Sequence, residues 1–377
     1  MTHATEEGTA AFAAAAIKRD MASEHFREAE GLKLSTIGFG TYLGDDDDAT
    51  DEAYRTAIVE AVSIGCNVLD SASNYRCQRS ERAVGAALRE LERDGVGREQ
   101  LVVATKGGYI PFDDAPPVDP GAYVRERFVD RSVFTLEDIA PVTLKDSPGH
   151  VLAASFLRDQ LEQSLENLGV DSIDIYYLHN PEAQLLSVDS ETFETRLRVA
   201  FELLEEAVSE GKIGFYGTAT GNAYRVAADA KDYVSLADVV ALARDVAGDS
   251  HHFRFVQTPY NLATTESFTT QSQSVDGEEQ SLCQAADSLG VYLVSSSSLA
   301  QGRLTKGLPD WLGTLFKGFD TDAQRSLQFV RSTPGFVSAL VGMTSVAHVR
   351  ENLAVGRVPP APMEDFLKLF EVDSSES

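Results

Sequence analysis

Cysteine is scarce in this chain of 377 residues, and the few copies are poorly placed for a shared role. Cys66, Cys77 and Cys283 are odd in number and form no CxxC pair. Disulfide frameworks and zinc knuckles need paired or closely spaced cysteines, so the spacing indicates neither. Unpaired thiols fit a reducing compartment, and we therefore expect a cytoplasmic protein.

Long apolar runs are missing as well. No window of the sequence approaches the roughly 18 uninterrupted apolar residues that a membrane-spanning helix requires. The alanine-rich stretch at residues 10–17 follows two glutamates, whereas the core of a signal peptide follows a basic segment. We expect no membrane partner, and we expect residues 1–30 to form an N-terminal arm or a short helix.

Positive charge is in short supply. The chain has 59 acidic and 32 basic residues, nine of them lysines, and a net charge of -27. Such a surface repels phosphate backbones and anionic lipid, so nucleic acid is not expected as a partner. Dense carboxylates also keep a protein hydrated at high salt, which indicates either a halophilic source or an ordinary acidic protein.

Apolar, strand-like runs alternate with segments of helical periodicity along the whole chain. Eight strands are predicted, at residues 36–39, 67–69, 101–105, 173–178, 213–216, 255–258, 291–295 and 339–341. Helices are predicted at residues 52–64, 80–91, 157–168, 193–210, 236–246, 280–289, 323–331 and 347–354. Eight strand–helix units favour a parallel (β/α)8, or TIM, barrel over a doubly wound sheet.

Two stretches interrupt this alternation. Residues 109–154 are too long for a plain connection after the third strand, and residues 261–279 form a shorter polar loop after the sixth. Aromatic residues in the first stretch favour a packed lid over the barrel mouth, with a disordered spacer as the alternative. We predict a single barrel domain over residues 31–360 with an insertion at 109–154, followed by a C-terminal tail over residues 361–377.

The segment GFGTYLG, residues 38–44, resembles a glycine-rich dinucleotide-binding loop. In that motif a helix N-terminus receives a pyrophosphate, but here the sequence continues as DDDDATDEA. We reject a Rossmann fold on that ground. We expect the glycines to let the first barrel strand turn sharply, with its backbone close to a ligand.

Ionisable side chains stand where three consecutive strands end. Asp70 ends the second strand with Tyr75 just beyond it, Lys106 ends the third strand, and His179 ends the fourth. The carboxyl ends of barrel strands converge on one face, where barrel enzymes build their sites. Each residue alone has an ordinary structural explanation, such as a helix cap, a solvated turn or a core edge. Their placement on successive strands favours a shared chemistry.

These four side chains suit the reduction of a carbonyl group. Tyr75 is a weak acid, because a phenol has a pKa of about 10, and an adjacent ammonium lowers that pKa. We expect Lys106 to have this effect, with Asp70 pairing the ammonium and holding it in place. His179 would orient the substrate carbonyl or assist the proton transfer.

At these residues the sequence resembles the aldo-keto reductases, a family of NAD(P)H-dependent (β/α)8-barrel oxidoreductases with an Asp, Tyr, Lys and His tetrad. The resemblance extends from about Gly31 to Val355 and is carried by GLKLSTIGFGTYLG, NVLDSASNY, SERAVGAAL, VVATKGG and SLENLGVDSIDIYYLHNP. It implies an NAD(P)H-dependent reductase of small aldehydes or ketones, in which Tyr75 donates the proton.

The resemblance also implies a nicotinamide cofactor. Within VQTPYNL, Gln257 would contact the nicotinamide amide, while SLAQGRLTKG would cover the pyrophosphate and VGMTSVAHVRENL would hold the adenosine end. The implied cofactor contacts are Gly40, Thr41, Ala219, Thr220, Gln257, Ser297, Leu299, Gly302, Gly342, Thr344, His348, Glu351 and Asn352. NADPH is expected over NADH, because the last helix begins there and His348 stands where relatives have Arg or Gln. No metal is expected.

The sequence departs from the family pattern at several positions. Ala219 and Thr220 stand where relatives usually have Ser-Asn or Ser-Arg. Ser296 and Ser298 replace an aromatic residue that stacks on nicotinamide and a proline, and YRCQRSE lacks the glycine that commonly follows the tyrosine. The complete tetrad indicates altered cofactor or substrate packing rather than lost chemistry.

A protein of another class is the alternative, one that binds the nucleotide as a redox sensor or regulator with slow or no turnover. The intact tetrad favours the enzyme. A lyase or isomerase on the same barrel is weaker, because no phosphate-gripping glycine-rich loop or metal cluster is visible in the sequence. The longest loop contains no motif that identifies the substrate, and no pattern indicates the oligomeric state.

Overall fold

The computed structural model describes residues 3–142 and 144–370 of the chain. Their strands are β1 (Phe26–Ala29), β2 (Leu32–Ser35), β3 (Ile37–Gly40), β4 (Val68–Asp70), β5 (Val102–Gly107), β6 (Ile173–His179), β7 (Ile213–Ala219), β8 (Phe253–Pro259), β9 (Gln273–Val275), β10 (Glu278–Gln280), β11 (Tyr292–Ser296) and β12 (Phe336–Gly342). Eight of them close a parallel barrel in the order β3 to β8, β11 and β12, and β12 pairs with β3. The predicted TIM barrel is confirmed, and each of the eight predicted barrel strands overlaps an observed one.

Helices surround this barrel. Within the described ranges they are α1 (Glu6–Lys18), α2 (Asp48–Ile64), α3 (Arg79–Arg93), α4 (Pro120–Val124), α5 (Ala154–Leu168), α6 (Ser190–Ser209), α7 (Leu236–Ala247), α8 (Glu266–Thr269), α9 (Leu282–Leu289), α10 (Trp311–Leu315), α11 (Asp322–Ser332), α12 (Val346–Leu353) and α13 (Met363–Leu367). Each of the eight predicted helices overlaps one of these. No helix in the described part of the chain has both the length and the apolar composition needed to cross a membrane.

Two apolar layers hold the barrel together. The strands of a parallel barrel are covered on both faces, so their sequences are continuous apolar runs. In agreement with this, every residue of β5 and β6 is buried. One cluster lies between the strands and the surrounding helices. A second cluster fills the interior, and it includes Leu32 and Leu34 of the hairpin β1–β2.

The N-terminal part of the chain is tied to the barrel. The backbone N–H of Ala4 donates to Oδ1 of Asp174 at 2.7 Å, and the Thr5 side chain caps α1 by accepting from the N–H of Gly8. Residues 3–30 therefore form an attached helix and the first strand of a hairpin. At the other end, α13 packs Phe366 against Phe329, and residues 371–377 of the predicted tail lie outside the described residues.

The insertion at residues 109–154 builds a small apolar core of its own. This insertion core consists of Ile110, Val124, Phe128, Phe134, Val151 and Phe156, the last of which belongs to α5. The ring centroids of Phe128 and Phe134 are 5.3 Å apart, and Phe156 places its edge against both. The insertion is thus packed against α5. The polar loop at residues 261–279 contains α8 and the hairpin β9–β10.

The prediction that glycines let the chain turn sharply at residues 38–44 is wrong for the first two of them. Gly38 and Gly40 lie within β3, and only Gly44 of the three has a positive φ, at 117°. A Cβ at Gly38 would come within 2.8 Å of side-chain atoms of Leu340 and Ser338. Packing between β3 and β12, rather than backbone freedom, therefore requires glycine at position 38.

Gly217 offers a test of this barrel packing. A Cβ there would lie 1.8 Å from the backbone oxygen of Phe255, at an irregularity in the pairing of β7 with β8. Because the backbone must move, Gly217→Ala should lower the free energy of unfolding by about 3 kcal/mol. Urea denaturation measures this, with Gly121→Ala in α4 as the control. Equal stability of the two variants would contradict the packing argument.

Candidate active site

A cavity of about 620 Å³ opens at the carboxyl ends of the barrel strands, a size typical of sites for small molecules. Seven of the eight barrel strands contribute to its wall, through Gly40, Asp70, His179, Ala219, Gln257, Ser296 and Gly342. Strand register explains the convergence, because Gly40 pairs with both Asp70 and Gly342, and Ala219 pairs with both His179 and Gln257. The remaining strand, β5, supplies Lys106, which is buried beneath the cavity and does not line it.

A fully buried ion pair lies under this cavity. The Lys106 ammonium donates to Oδ1 of Asp70 at 2.5 Å and to the backbone oxygen of Ser71 at 2.7 Å. Nε2 of Gln257 donates to the other carboxylate oxygen of Asp70 at 2.8 Å. Burial raises the pKa of Asp70 and lowers the pKa of Lys106, and each charge opposes the shift of the other. The carboxamide of Gln257, predicted to meet nicotinamide, thus already has one partner in the protein.

Tyr75 lies directly above the ion pair. The Lys106 ammonium is 4.8 Å from the centre of the Tyr75 ring, and the ring also contacts His179 and Tyr42 at its edges. The pKa of Tyr75 is raised well above its ordinary value by burial first, and then by the negative charge of Asp70. The expected lowering of this pKa is therefore wrong, because Asp70 pairs the ammonium and burial disfavours the phenolate.

His179 is neutral in this environment. Burial and the nearby Lys106 ammonium lower its pKa well below the ordinary value for histidine. Its Nδ1 is buried, and no group in the described part of the chain accepts or donates a hydrogen bond there. The His179 ring also lines the cavity, so a neutral imidazole is available there to orient a ligand.

A second histidine, His150 from the insertion, fixes the position of His179. Its Nε2–H donates to the backbone oxygen of His179 at 2.7 Å, while its Nδ1 accepts from Nε2 of Gln184 at 2.8 Å. The Tyr109 ring lies between the two histidine rings, with centroids 5.0 Å from His150 and 4.9 Å from His179. Asn180 donates to the Tyr109 hydroxyl. The insertion therefore supports one wall of the site.

The turn after Tyr75 has an uncommon backbone. Arg76, Cys77 and Gln78 have φ angles of 50°, 53° and 70°, all in the left-handed region. Such residues persist only where their surroundings hold them. The Arg76 guanidinium donates to the backbone oxygen of Asp45 at 2.8 Å and to the Asp51 carboxylate at 2.6 Å. These bonds hold the Arg76 side chain at a turn where the family resemblance implied a glycine.

The predicted cofactor contacts lie on one continuous wall, with one exception. Those that line the cavity are Gly40, Thr41, Ala219, Thr220, Gln257, Ser297, Leu299, Gly302, Gly342, His348, Glu351 and Asn352. Thr344 is exposed and lies off the wall, in the turn where Ser345 caps α12 by accepting from the N–H of His348. A cavity that reaches from Tyr75 to α12 fits an extended dinucleotide.

Sequence reasoning missed several groups on this wall. Tyr42, Leu43, Leu144 and Tyr109 surround the tyrosine side of the cavity, and Lys306 lines it from the loop after β11. Lys306 belongs to SLAQGRLTKG, the segment that the sequence analysis assigned to the pyrophosphate. A lysine in a segment expected to bind phosphate could have identified it as a cofactor contact. The aromatic and apolar residues come from separate loops, and no local spacing links them.

The sequence model of the Aldo/keto reductase family matches residues 36–309. L-galactose dehydrogenase of Arabidopsis thaliana is 27% identical over 343 residues, which cover 86% of this chain and 85% of that protein. NADH-specific methylglyoxal reductase of Escherichia coli is 28% identical over 197 residues, 51% of this chain and 50% of that protein. The solved structure of an aldo/keto reductase from Klebsiella pneumoniae, in complex with NADP and acetate, matches with a TM-score of 0.60 and 22% identity, over 92% of this chain and 94% of that one. The chain belongs to the aldo/keto reductase family of NAD(P)H-dependent oxidoreductases.

Proposed function

We propose that this reductase converts the carbonyl group of a small aldehyde or ketone to an alcohol with NADPH, and that Tyr75 donates the proton. One observation carries the proposal: a neutral phenol borders the cavity directly above a buried ammonium–carboxylate pair. When bound, the cofactor supplies a hydride to the carbonyl carbon, which leaves the carbonyl oxygen in need of a proton.

The surroundings of Tyr75 suit a proton donor. A phenol whose pKa is raised keeps its proton at neutral pH, so it is in the donating form when substrate arrives. The carbonyl oxygen becomes strongly basic only as the hydride is transferred. Once Tyr75 has given up its proton, the Lys106 ammonium under the ring is positioned to stabilise the phenolate.

The other tetrad members hold this donor in place. Asp70 fixes Lys106, and Gln257 fixes Asp70, so the ammonium has little freedom to move away from the ring. His179, with its pKa lowered, is a neutral hydrogen-bond partner for the carbonyl oxygen. Its edge contact with Tyr75 places the two groups on the same side of the cavity.

The substrate is expected to be neutral and apolar or aromatic near its carbonyl group. Tyr42, Leu43 and Leu144 on the cavity wall are 50%, 43% and 42% exposed, so a substrate covers apolar surface there. Lys306 is the one lysine or arginine on the described wall, and it belongs to the loop assigned to the cofactor. A carboxylate on the substrate would therefore find no cation on the cavity wall near Tyr75, because the Lys106 ammonium is buried beneath the ring and paired with Asp70.

NADPH is the proposed cofactor in spite of the acidic surface. His348 and Lys306 line the part of the cavity assigned to the adenosine and pyrophosphate groups. A lysine ammonium attracts a phosphate as a point charge, and a histidine ring N–H can donate a hydrogen bond to a phosphate oxygen. Glu351 on the same wall opposes this attraction, so the preference is modest.

Tyr75→Phe tests the proton donor. The ring and its contacts remain while the hydroxyl is lost, so aldehyde reduction should fall by about 10² to 10⁴ with NADPH affinity nearly unchanged. Tyr42→Phe is the control, because it removes a hydroxyl from a ring that touches Tyr75. Steady-state rates on a panel of neutral aldehydes measure both. Activity of Tyr75→Phe within a few-fold of wild type would refute the assignment, and no turnover by the wild type would favour the redox-sensing alternative.

Lys106→Met tests the buried ion pair without any substrate. Loss of one partner of a buried pair costs about 3–5 kcal/mol of unfolding free energy. The pKa of Asp70, already raised, rises further without the ammonium, so the folded variant binds a proton that the unfolded chain lacks above about pH 4. Because the folded state binds more protons, its stability falls as pH rises. Urea denaturation at pH 5 and pH 8 should show the larger loss at pH 8.

The double variant Lys106→Met with Asp70→Asn is the matched control for this pH dependence. It has no buried carboxyl group at the site, so its loss of stability should be the same at both pH values. The coupling is wrong if the single variant follows the pH dependence of the wild type.

Fluorescence titration with NADPH and NADH tests the cofactor preference. The ratio of NADH to NADPH dissociation constants should exceed one for the wild type. His348→Ala should bring this ratio close to one, because His348 lies at the adenosine end, where the two cofactors differ. Lys306→Ala is the matched control: it should weaken both cofactors and leave their ratio nearly unchanged, because both carry the pyrophosphate. NADH that binds as tightly as NADPH to the wild type would refute the preference.

A further inference from the structure

Two carboxylates and a thiol converge beside the proposed active site, in a place that carbonyl reduction does not use. Asp46 belongs to the loop before α2, Cys77 to the left-handed turn after Tyr75, and Asp146 to the insertion. One ligating atom from each of the three lies within 4.8 Å of the other two. Three separate loops thus meet at one point, and their neighbouring residues Leu43, Tyr75 and Leu144 line the cavity.

This cluster contains buried polar atoms that have no hydrogen-bond partner among the described residues. Oδ1 of Asp46 and Oδ1 of Asp146 are both buried, and neither has a hydrogen-bond partner within residues 3–142 and 144–370. Cys77 is a free cysteine with 0% exposure, and its thiol lacks a hydrogen-bond partner in the same ranges. Native proteins rarely leave buried polar groups unpaired, so three that face one another indicate a missing partner.

The nearest cations do not supply that partner. Lys145 approaches Asp46 at 3.6 Å through the other carboxylate oxygen, and its side chain is 66% exposed, so the pair is weak. The Arg76 guanidinium donates to the backbone oxygens of Asp45 and Asp47 and to the Asp51 carboxylate. Its Nη1 has no hydrogen-bond partner among the described residues, so it does not reach the cluster either. Burial, Asp46 and Asp146 raise the pKa of Cys77 to about 12, and burial and Asp46 raise the pKa of Asp146, so the protein's own cations do not compensate the charge that these groups carry when ionised.

We propose that Asp46, Cys77 and Asp146 bind one divalent cation of the zinc type. Zinc takes thiolate sulfur at about 2.3 Å and carboxylate oxygen at about 2.0–2.2 Å, which requires ligand atoms about 3.5 Å apart. Side-chain movements of about 1 Å bring the three atoms to that spacing. On binding, the thiol proton of Cys77 leaves to solvent as the metal–sulfur bond forms, and water occupies the fourth position.

The ligand set selects the class of metal. A thiolate favours zinc and its heavier congener cadmium, whereas magnesium and calcium prefer sites made of oxygen alone. The bound ion would tie the insertion and the loop before α2 to the turn that follows Tyr75. Its role is structural, and the proposal does not depend on the proposed function.

Cadmium titration of the chelator-treated full chain tests the site. A cadmium–thiolate bond gives an ultraviolet charge-transfer band, so Cd²⁺ should produce a band that saturates at one equivalent. Cys283→Ser should retain this band, and Cys77→Ala should lose it. Asp146→Asn, a change at a partly exposed residue that the fold tolerates more readily, should weaken binding at least tenfold.

Two controls keep the outcome decisive. Asp113→Asn removes a carboxylate of the insertion that pairs with Arg82, and it should bind Cd²⁺ like the wild type. Zn²⁺ should raise the melting temperature of the wild type and raise that of Asp146→Asn by clearly less at the same concentration, while Mg²⁺ should affect neither. The proposal is overturned if the wild type gives no band, if the band survives in Cys77→Ala, or if Asp146→Asn binds as tightly as the wild type.

Discussion

The buried contact between Lys106 and Asp70 is the interaction on which the arrangement of the site depends. Moving two charges out of water costs several kcal/mol for each ion, and this cost is offset only when every donor and acceptor is satisfied. Here Ser71 and Gln257 complete the set, so strands β4, β5 and β8 are joined across the carboxyl end of the barrel. Tyr75 rests on the resulting platform. The position of the phenol is therefore a consequence of barrel closure and of one satisfied ion pair.

The barrel could be predicted from the sequence because parallel strands buried on both faces read as apolar runs. Polar residues within the strands made some predicted strands too short. The last barrel strand was predicted from residue 339, but β12 begins at Phe336. Ser338 interrupts the apolar run, yet it is accommodated in the strand because its hydroxyl donates to the backbone oxygen of Ser35. The hairpin β1–β2 was missed because its four-residue strands, FREA and LKLS, carry too few apolar residues to stand out. Short elements depend on tertiary contacts more than on local pattern.

The sequence predicted the candidate site only in part, because several of its properties depend on tertiary contacts. Strand-end positions brought Asp70, Lys106 and His179 together correctly, because barrel geometry alone sets them on one face. The predicted direction of the Tyr75 pKa shift was wrong. The shift depends on how deeply the phenol is buried and on the pairing of the Lys106 ammonium with Asp70, and no local sequence pattern gives either. His150 carries no signal at all, because its contact with His179 arises only when the insertion folds back on the barrel.

The insertion core makes one wall of the cavity depend on a separate apolar cluster. This cluster is small, and it shares the ring of Phe156 with α5. The insertion supplies both His150, which bonds to the backbone of His179, and Tyr109, which lines the cavity. The ion pair beneath Tyr75, by contrast, is held by residues of the barrel strands. Substitutions in the insertion core can therefore reshape that wall without disturbing the ion pair.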